Sequence, residues 1–349
     1  MDEAELASVA GSDAYVVGGA VRDELLGRPV VDLDVACRDP RRAARAYARR
    51  FGGAVFALSD RHGAWRVAFP DGRTVDFTPL FDGIEDDLRT RDFTVNAIAR
   101  PVGSQTHVDP LGGRRDLRAG VLRAVSDTVF RDDPLRLLRA VRLEDELGLA
   151  VDPHTEGLVR SHADVATWPA GERILAELRR LSPAGWRRLD ELGLLARLGG
   201  SVDRLDAVEP APHPDYLLVV CLGEALFRLP VSNATRRFAA KLLAVQRPAD
   251  DSPREIHRFR RATEPWSLEA LAFVGAGDLA PAVRAARAED PVEPLVRGDE
   301  LGLPPGPEIG RVLDRIAEER AAGTISTREQ ALELARRERK ARAGERRID

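Results

Sequence analysis

Residues 15–36 read Tyr-Val-Val-Gly-Gly-Ala-Val-Arg-Asp-Glu-Leu-Leu-Gly-Arg-Pro-Val-Val-Asp-Leu-Asp-Val-Ala. They predict a strand, a Gly-Gly turn, a short helix ending at Gly27, and a second strand that carries Asp32 and Asp34. Side chains two apart on a strand share a face, so these two carboxylates are expected to point the same way. The alternate side chains are expected to point into the core: Val31, Leu33 and Val35.

Two adjacent carboxylates repel each other unless a cation lies between them, and Mg²⁺ prefers such oxygen ligands together with substrate phosphates. The turn at Gly18 and Gly19 opens a helix, whose free N–H groups favour a phosphate. Alone, a Gly-Gly pair is usually only a turn, and an Asp-X-Asp pair is usually a solvated strand face. Their close spacing favours the functional interpretation, which is nucleotidyl transfer assisted by metal ions.

This combination resembles the class II tRNA nucleotidyltransferase and bacterial poly(A) polymerase family, whose first motif has the same glycine turn and aspartate pair. Arg91-Asp92-Phe93-Thr94-Val95-Asn96-Ala97 resembles a second motif of that family. Further segments with family resemblance are Asp109–Gly113 with Asp116-Leu117, Asp132–Arg142, Glu172–Leu178 and Gly298–Pro307. The resemblance therefore covers most of the chain.

The resemblance implies that Asp32 and Asp34 hold two Mg²⁺ ions as the catalytic acids. A third carboxylate often lies on a neighbouring strand in this superfamily, and Asp76 is the candidate here. The alternative for Asp76 is a surface charge on an edge strand, and both interpretations stay open at this point. The triphosphate would be bound by a further set of residues: Gly18, Gly19, Arg22 and Arg91.

A predicted helix at about 133–145 carries Asp133, Arg136, Arg139 and Arg142 at intervals of three residues. This interval produces a slanting polar stripe, which alone is typical of intrahelical ion pairs on a solvated face. The resemblance implies instead that Asp133 and Arg136 read the base edge of the incoming nucleotide. An arginine only donates and a carboxylate only accepts, so the pair can discriminate between bases. Arg139 and Arg142 would hold phosphates or brace the stripe.

The composition sets limits on the class of protein. The chain has 349 residues, 32% of them charged, and a net charge of only −4, which argues against a uniformly basic nucleic-acid coat. Cys37 and Cys221 are the only cysteines, so no disulfide framework or zinc site is expected. The chain shows no signal-peptide pattern and no apolar run near the ~20 residues that span a membrane. We therefore expect a cytoplasmic protein without a membrane segment, and no protein partner is inferred.

The periodicity predicts an α+β protein. Strands are predicted at 14–17, 30–36, 53–58, 64–69 and 74–78, with a helix at 40–51 and mostly helices after about 126. The resemblance implies a polymerase β-like mixed-sheet head followed by an all-helical neck, body and tail. The expected boundaries are 1–125 for the catalytic head, 126–185 for the neck, 186–265 for the body and 266–349 for the tail.

The resemblance makes tRNA the expected partner, with CTP and ATP as substrates. Arginines that could grip the tRNA backbone are 173, 179, 180, 187 and 188, and the basic end of the chain adds Arg336, Arg337, Arg339, Lys340, Arg342, Arg346 and Arg347. Merely solvated helix faces are an equal alternative for these charges.

Only fourteen residues separate Asp76 from Arg91. Full CCA-adding members usually have a longer flexible loop here, and members that add only two cytidines resemble this shorter form. Addition of CC alone and of the full CCA both stay open. Competing hypotheses are a poly(A) polymerase, disfavoured because Ile98-Ala99-Arg100 lacks its usual aromatic residues, and a catalytically inactive RNA-binding relative.

Overall fold

The computed structural model describes residues 3–59, 63–205 and 213–345. The chain divides into two compact units, one ending at Gly200 and the other beginning at Ser201. The four-region division into head, neck, body and tail stays a prediction, since the two units do not test it.

A six-stranded mixed sheet forms the centre of the first unit. Its strands are β1 (Tyr15–Val17), β2 (Asp32–Cys37), β3 (Ala54–Ser59), β4 (Ala64–Ala68), β5 (Thr74–Pro79) and β6 (Ala99–Pro101). Their spatial order is β3-β4-β5-β2-β1-β6. Only β2 and β5 pair in parallel, and the other neighbours are antiparallel. Five of these strands agree with the prediction, whereas the three-residue strand β6 was not predicted.

Helices cover this sheet and continue beyond it. They are α1 (Glu3–Ala10), α2 (Gly19–Leu25), α3 (Pro40–Phe51), α4 (Ile84–Arg89), α5 (Gly113–Arg118), α6 (Val129–Asp132), α7 (Leu135–Leu147), α8 (Pro153–Ser161), α9 (Gly171–Leu178), α10 (Pro183–Glu191) and α11 (Leu194–Leu198). Two short strands, β7 (Val121–Leu122) and β8 (Ala150–Val151), form a separate parallel pair.

Side chains along β2 alternate between two faces of the sheet. One face is buried in the core, and the other carries the predicted acids Asp32 and Asp34. Leu33 and Val35 are buried in the main core of the sheet, as predicted. The prediction was wrong for Val31, which is 56% exposed. Val31 precedes the first paired residue of β2, so the alternation of the strand does not yet constrain its side chain.

The second unit is helical throughout its described residues. Its helices are α12 (Tyr216–Leu222), α13 (Asn233–Ala244), α14 (Pro253–Thr263), α15 (Ser267–Phe273), α16 (Ala280–Ala288), α17 (Pro307–Ala321) and α18 (Arg328–Glu345). Val312 and Ile316 of α17 pack with Ala331 and Ala335 of α18.

Within the described ranges, no single helix has the length and apolar character needed to cross a membrane. One bent helix pair, Tyr216–Arg228 with Asn233–Ala244 at 115°, meets the criterion on length and composition alone.

Candidate active site

Parallel pairing of β2 and β5 places Asp34 directly opposite Asp76, and Asp32 opposite Thr74. The Thr74 hydroxyl donates a 2.7 Å hydrogen bond to Oδ1 of Asp32. The predicted acid pair therefore lies on one face of β2, with the third predicted carboxylate on the adjacent strand.

Asp34 is the most unusual acid of this group. Burial raises its pKa above the ordinary value, Arg91 and Arg139 oppose the increase, and the negative charges of Asp76 and Asp32 add to it. Among the described residues, no hydrogen bond or ion pair reaches the Asp34 carboxylate. A half-buried carboxylate with no such partner, beside two other acids, is electrostatically suited to a cation.

Asp76 is 9% exposed, and β5 lies inside the sheet. The alternative that Asp76 is a surface charge on an edge strand is therefore wrong. Its two carboxylate oxygens accept hydrogen bonds from Arg66 of β4, at 2.7 Å from Nε and 2.6 Å from Nη2. This pairing was not predicted.

The glycine turn lies beside Asp34. Gly18 has φ of +72° and follows β1 directly, in a region that side-chain-bearing residues rarely adopt. A Cβ atom at Gly18 would lie 2.7 Å from Nη1 of Arg91 and 3.5 Å from Oδ2 of Asp34. The other side of the Arg91 guanidinium donates to Asp87 of α4. The turn therefore lies next to both the acid and the arginine.

Arg22 is buried and already hydrogen-bonded to protein groups. Its Nε and Nη2 donate to its neighbour Asp23, and its Nη1 donates at 2.6 Å to Asn96. Asn96 in turn donates to Asp92, which also accepts from Arg139 of α7. Burial acts to raise the pKa of Asp92, but Arg139, Asn96 and the N–H of Phe93 outweigh burial and lower it.

The structure corrects the predicted polar stripe at one position. Asp133 has extended backbone angles (φ −148°, ψ 103°) just before α7, so it is not on the helix. Pro134 fixes the start of the helix, because proline suits a first turn and disfavours helical geometry in the residue before it. Asp133 pairs with Arg173 at 2.6 Å.

Arg136 lies in the first turn of α7, and its Nη2 donates a 2.8 Å hydrogen bond to the carbonyl of Thr90. The two proposed base readers, Asp133 and Arg136, therefore have separate protein partners.

The next two arginines of the helix face carboxylates. Arg142 is buried between Glu177 of α9 and Glu146, and Arg139 lies between Asp92 and Glu177. This environment favours the bracing interpretation of Arg142 over direct contact with a nucleotide.

The motif at residues 109–117 supports the segment that contains Asn96. The Asp109 carboxylate accepts hydrogen bonds from the backbone N–H groups of Gly113 and Arg114. A Cβ at Gly113 would lie 2.0 Å from the carbonyl oxygen of Thr94, so only glycine allows this approach. Asp116 accepts a hydrogen bond from the Thr94 hydroxyl. The sequence predicted the motif but not its role in supporting the segment around Thr94 and Asn96.

Several arginines predicted to grip tRNA are engaged within the protein. Arg173 pairs with Asp133, Arg180 with Glu146 and Arg337 with Glu333. Arg188 pairs with three acids: Glu144, Glu156 and Glu191. Arg346 and Arg347, and the side chains of Lys340 and Arg342, lie outside the described residues.

The part of the chain that the structure describes contains no group of three or more His, Cys, Asp or Glu side chains arranged to hold a metal ion. Mg²⁺, however, usually takes only one or two carboxylates and completes its shell with water and substrate phosphates. The pair of Asp32 and Asp34, next to the glycine turn that is predicted to bind phosphate, fits that requirement.

Comparison with known proteins agrees with this geometry. A family model described as the poly A polymerase head domain matches residues 14–80 and 71–123. An A-adding tRNA nucleotidyltransferase of Deinococcus radiodurans is 36% identical, over 91% of this chain and 94% of the relative. A CC-adding tRNA nucleotidyltransferase of Thermus thermophilus is 32% identical, over 91% and 92%.

The fold also agrees with solved structures. A Bacillus stearothermophilus CCA-adding enzyme in complex with CTP superposes with a TM-score of 0.74 at 26% identity, covering 98% of this chain and 97% of that one. A Thermotoga maritima CCA-adding enzyme complexed with tRNA shares the fold, with a TM-score of 0.72 at 22% identity over 95% and 93% of the two chains. Sequence, site geometry and fold thus lead to the same assignment, and the chain belongs to the tRNA nucleotidyltransferase family.

Proposed function

We propose that this chain transfers nucleoside monophosphates from CTP, and in one alternative from ATP, to the 3′ end of tRNA. The RNA 3′ oxygen would attack the α-phosphorus, and the bond to pyrophosphate would break. The observation that carries this proposal is the position of Asp34, a half-buried acid that lies beside the Gly18 turn and has no hydrogen-bond or ion-pair partner among the described residues.

Enzymes of this family use a divalent metal ion, and we propose Mg²⁺ here, held by Asp32 and Asp34. When bound, Mg²⁺ would lower the pKa of the attacking hydroxyl and balance charge on the departing pyrophosphate. In this proposal the N–H groups of the Gly18-Gly19 turn and the guanidinium of Arg91 bind the triphosphate. Arg22 orients the turn through Asn96, since its own guanidinium is largely engaged.

We propose that Asp133 and Arg136 read the base. Their present partners are Arg173 for Asp133 and the Thr90 carbonyl for Arg136. A carboxylate can accept from the exocyclic amine that CTP and ATP share and that UTP and GTP lack at the matching position.

Addition of CC alone is the favoured product. Between β5 and Arg91 the chain has one short helix, α4, and this segment is tied at the end next to Arg91. Asp87 pairs with Arg91, and Arg136 holds the Thr90 carbonyl. In this family the change from CTP to ATP is associated with a longer flexible loop in this position. A short and braced segment removes that conformational option.

Addition of A alone is the second candidate, because the Deinococcus relative named above is an A-adding enzyme. We propose a cytoplasmic location for either activity, since tRNA maturation takes place there and the two cysteines, both buried, form no disulfide.

The test uses the full chain with Mg²⁺ and two tRNA transcripts, one lacking CCA and one ending in CC. Each transcript is incubated with labelled CTP, labelled ATP or both. Two cytidines added to the first transcript, with no AMP added to the second, is the expected result. AMP added only to the second supports the A-adding candidate, and sequential addition of all three indicates full CCA synthesis. Long adenosine tails on unstructured RNA would support a poly(A) polymerase, and no incorporation in any reaction would contradict the proposal.

A further inference from the structure

Arg66 lies on β4 directly across from Asp76 of β5 in antiparallel register. Its guanidinium binds both oxygens of that carboxylate, with distances of 2.7 and 2.6 Å. This two-point geometry is the strong form of an arginine–carboxylate pair. The Arg66 side chain is still 33% exposed, so the pair is accessible from solvent.

The environment of Arg66 extends beyond Asp76. The hydrogen bonds from Arg66 to Asp76 raise the pKa of Arg66, and the charges of Asp32 and Asp34 act in the same direction. A permanently charged guanidinium is thus near all three acids. The three carboxylates would repel one another without a cation, and Arg66 supplies one without any metal.

We propose that Arg66 is a positioning residue that competes with the divalent cation for Asp76. By binding both oxygens of Asp76, Arg66 leaves Asp32 and Asp34 as the acids available to the metal. Asp76 becomes a metal ligand only if Arg66 releases it. The inference rests on the proposed function, because it requires that the acids bind a divalent cation.

Direct binding of Mn²⁺ tests this competition without relying on activity. The full-length protein, free of nucleotide and RNA, is titrated with Mn²⁺, and the free ion is measured by electron paramagnetic resonance. We expect Arg66→Gln to bind Mn²⁺ about fivefold or more tightly than the wild type, because a unit charge a few ångströms away contributes that much even in a water-like dielectric. Arg66→Lys keeps the charge but frees one carboxylate oxygen, so its affinity should lie between those of the other two proteins.

Two further variants separate this mechanism from general charge effects. Arg50→Gln removes an exposed arginine of the same unit, paired with Glu5, and should leave Mn²⁺ affinity unchanged. In an Asp76→Asn background, Arg66→Gln should have a clearly smaller effect, since the site of competition is gone.

The outcomes distinguish the two proposals. If the wild type binds Mn²⁺ and neither Arg66 variant binds it more tightly, the competition is refuted while the proposed function stands. Weaker binding by Arg66→Gln, with an unchanged melting temperature, would also refute it, since Arg66 would then support the metal. If the wild type and all variants fail to bind Mn²⁺, both proposals fail. Arg66→Lys decides the matter if Arg66→Gln does not fold.

Discussion

Arg22 donates a 2.6 Å hydrogen bond from its Nη1 to Oδ1 of Asn96, although the two residues are 74 positions apart in sequence. Asn96 donates onward to Asp92, and Asp92 accepts from Arg139 of α7. Three buried side chains and the half-buried Arg139 thus connect the glycine turn with the helix that carries the proposed base reader Arg136. Because low dielectric strengthens such contacts, each member is expected to matter for both stability and geometry.

Replacing Asn96 with Ala should break this connection on both sides. The buried Arg22 guanidinium loses an acceptor and Asp92 loses a donor, so we expect the free energy of unfolding to fall by about 2–3 kcal/mol. We also expect KM for the nucleotide to rise. Chemical denaturation and steady-state kinetics measure the two effects. The exposed Asn233, changed to Ala, is the control and should alter neither; equal behaviour of both variants would contradict the role of Asn96.

Two glycines with similar φ angles allow the cost of a positive φ to be separated from steric obstruction at the turn. Gly18 has φ of +72° and Gly27 has φ of +67°, but a Cβ would contact Arg91 only at Gly18. Both Gly→Ala variants should lose about 1–2 kcal/mol of stability from the backbone alone. Only Gly18→Ala should also lose nucleotide binding, measured by calorimetry with a non-hydrolysable triphosphate. Retained binding would show that Gly18 does not approach the phosphates.

Asp34→Asn should abolish turnover and yet stabilise the metal-free protein. Burial raises the pKa of Asp34 in the folded state, so the charged form opposes folding, and this cost grows as pH rises through the raised value. Asparagine has the same shape without the charge. Denaturation at neutral pH in a chelator measures the gain.

The control for this prediction is Asp71→Asn. The backbone N–H of Arg73 lowers the pKa of Asp71, which means that the folded state favours its charged form. This variant should therefore not be stabilised. A destabilised Asp34→Asn protein would mean that the Asp34 carboxylate has a structural partner.

Arg136→Ala should lower the selectivity among the four nucleotides more than it lowers the rate with the preferred nucleotide. The guanidinium is a fixed set of donors for a base edge, and without it the proposed pair of base readers retains the acceptor Asp133 but not its donor. The measurement is kcat/KM for each of the four triphosphates on the same tRNA. We expect the ratio between preferred and rejected nucleotides to fall about tenfold or more, which corresponds to one or two lost hydrogen bonds. Unchanged ratios would mean that residues other than Arg136 read the base.

The stability of the second unit is expected to depend on pH through Glu319. Hydrogen bonds from Arg254 and Thr324 lower its pKa from 4.5 to about 2 in the folded protein. Its stabilising contribution is therefore complete above the unfolded value and is lost as pH falls from 4.5 towards 2. We expect Glu319→Gln to lower the free energy of unfolding by about 2–3 kcal/mol at neutral pH. The difference from the wild type should disappear as the pH approaches 2. Glu308→Gln, on the same helix, is the control for the loss of one acid from this unit.

The sequence was sufficient for elements with strong local signals. The alternation around Asp32 and Asp34, the turn at Gly18 and Gly19, and the helix 40–51 all depend on neighbouring residues, and the structure contains each of them. Strand β6 was not predicted because three residues are too few to show a periodic pattern. Its pairing partner β1 also lies far away in sequence. The start of α7 was misplaced by the regular interval of three, although Pro134 was a signal that the helix begins after Asp133.

The partners of the site residues were beyond sequence reasoning. Arg66 reaches Asp76 because β4 and β5 form a hairpin in a particular register, and Arg173 reaches Asp133 because α9 packs on α7. In a chain with so many arginines, composition does not indicate which of them meets which acid. Only tertiary packing selects among them, which is why the acids were predicted and their counter-charges were not.

The position of β6 also affects how the catalytic centre is assembled during synthesis. Strand β1 is an inner strand only because β6 returns to pair with it, and all six strands lie between Tyr15 and Pro101. A nascent chain that has not yet released Pro101 from the ribosome leaves the edge of β1 unpaired and open to wrong partners. Once that residue has emerged, the sheet can close around its three aspartates while the helical remainder is still being translated.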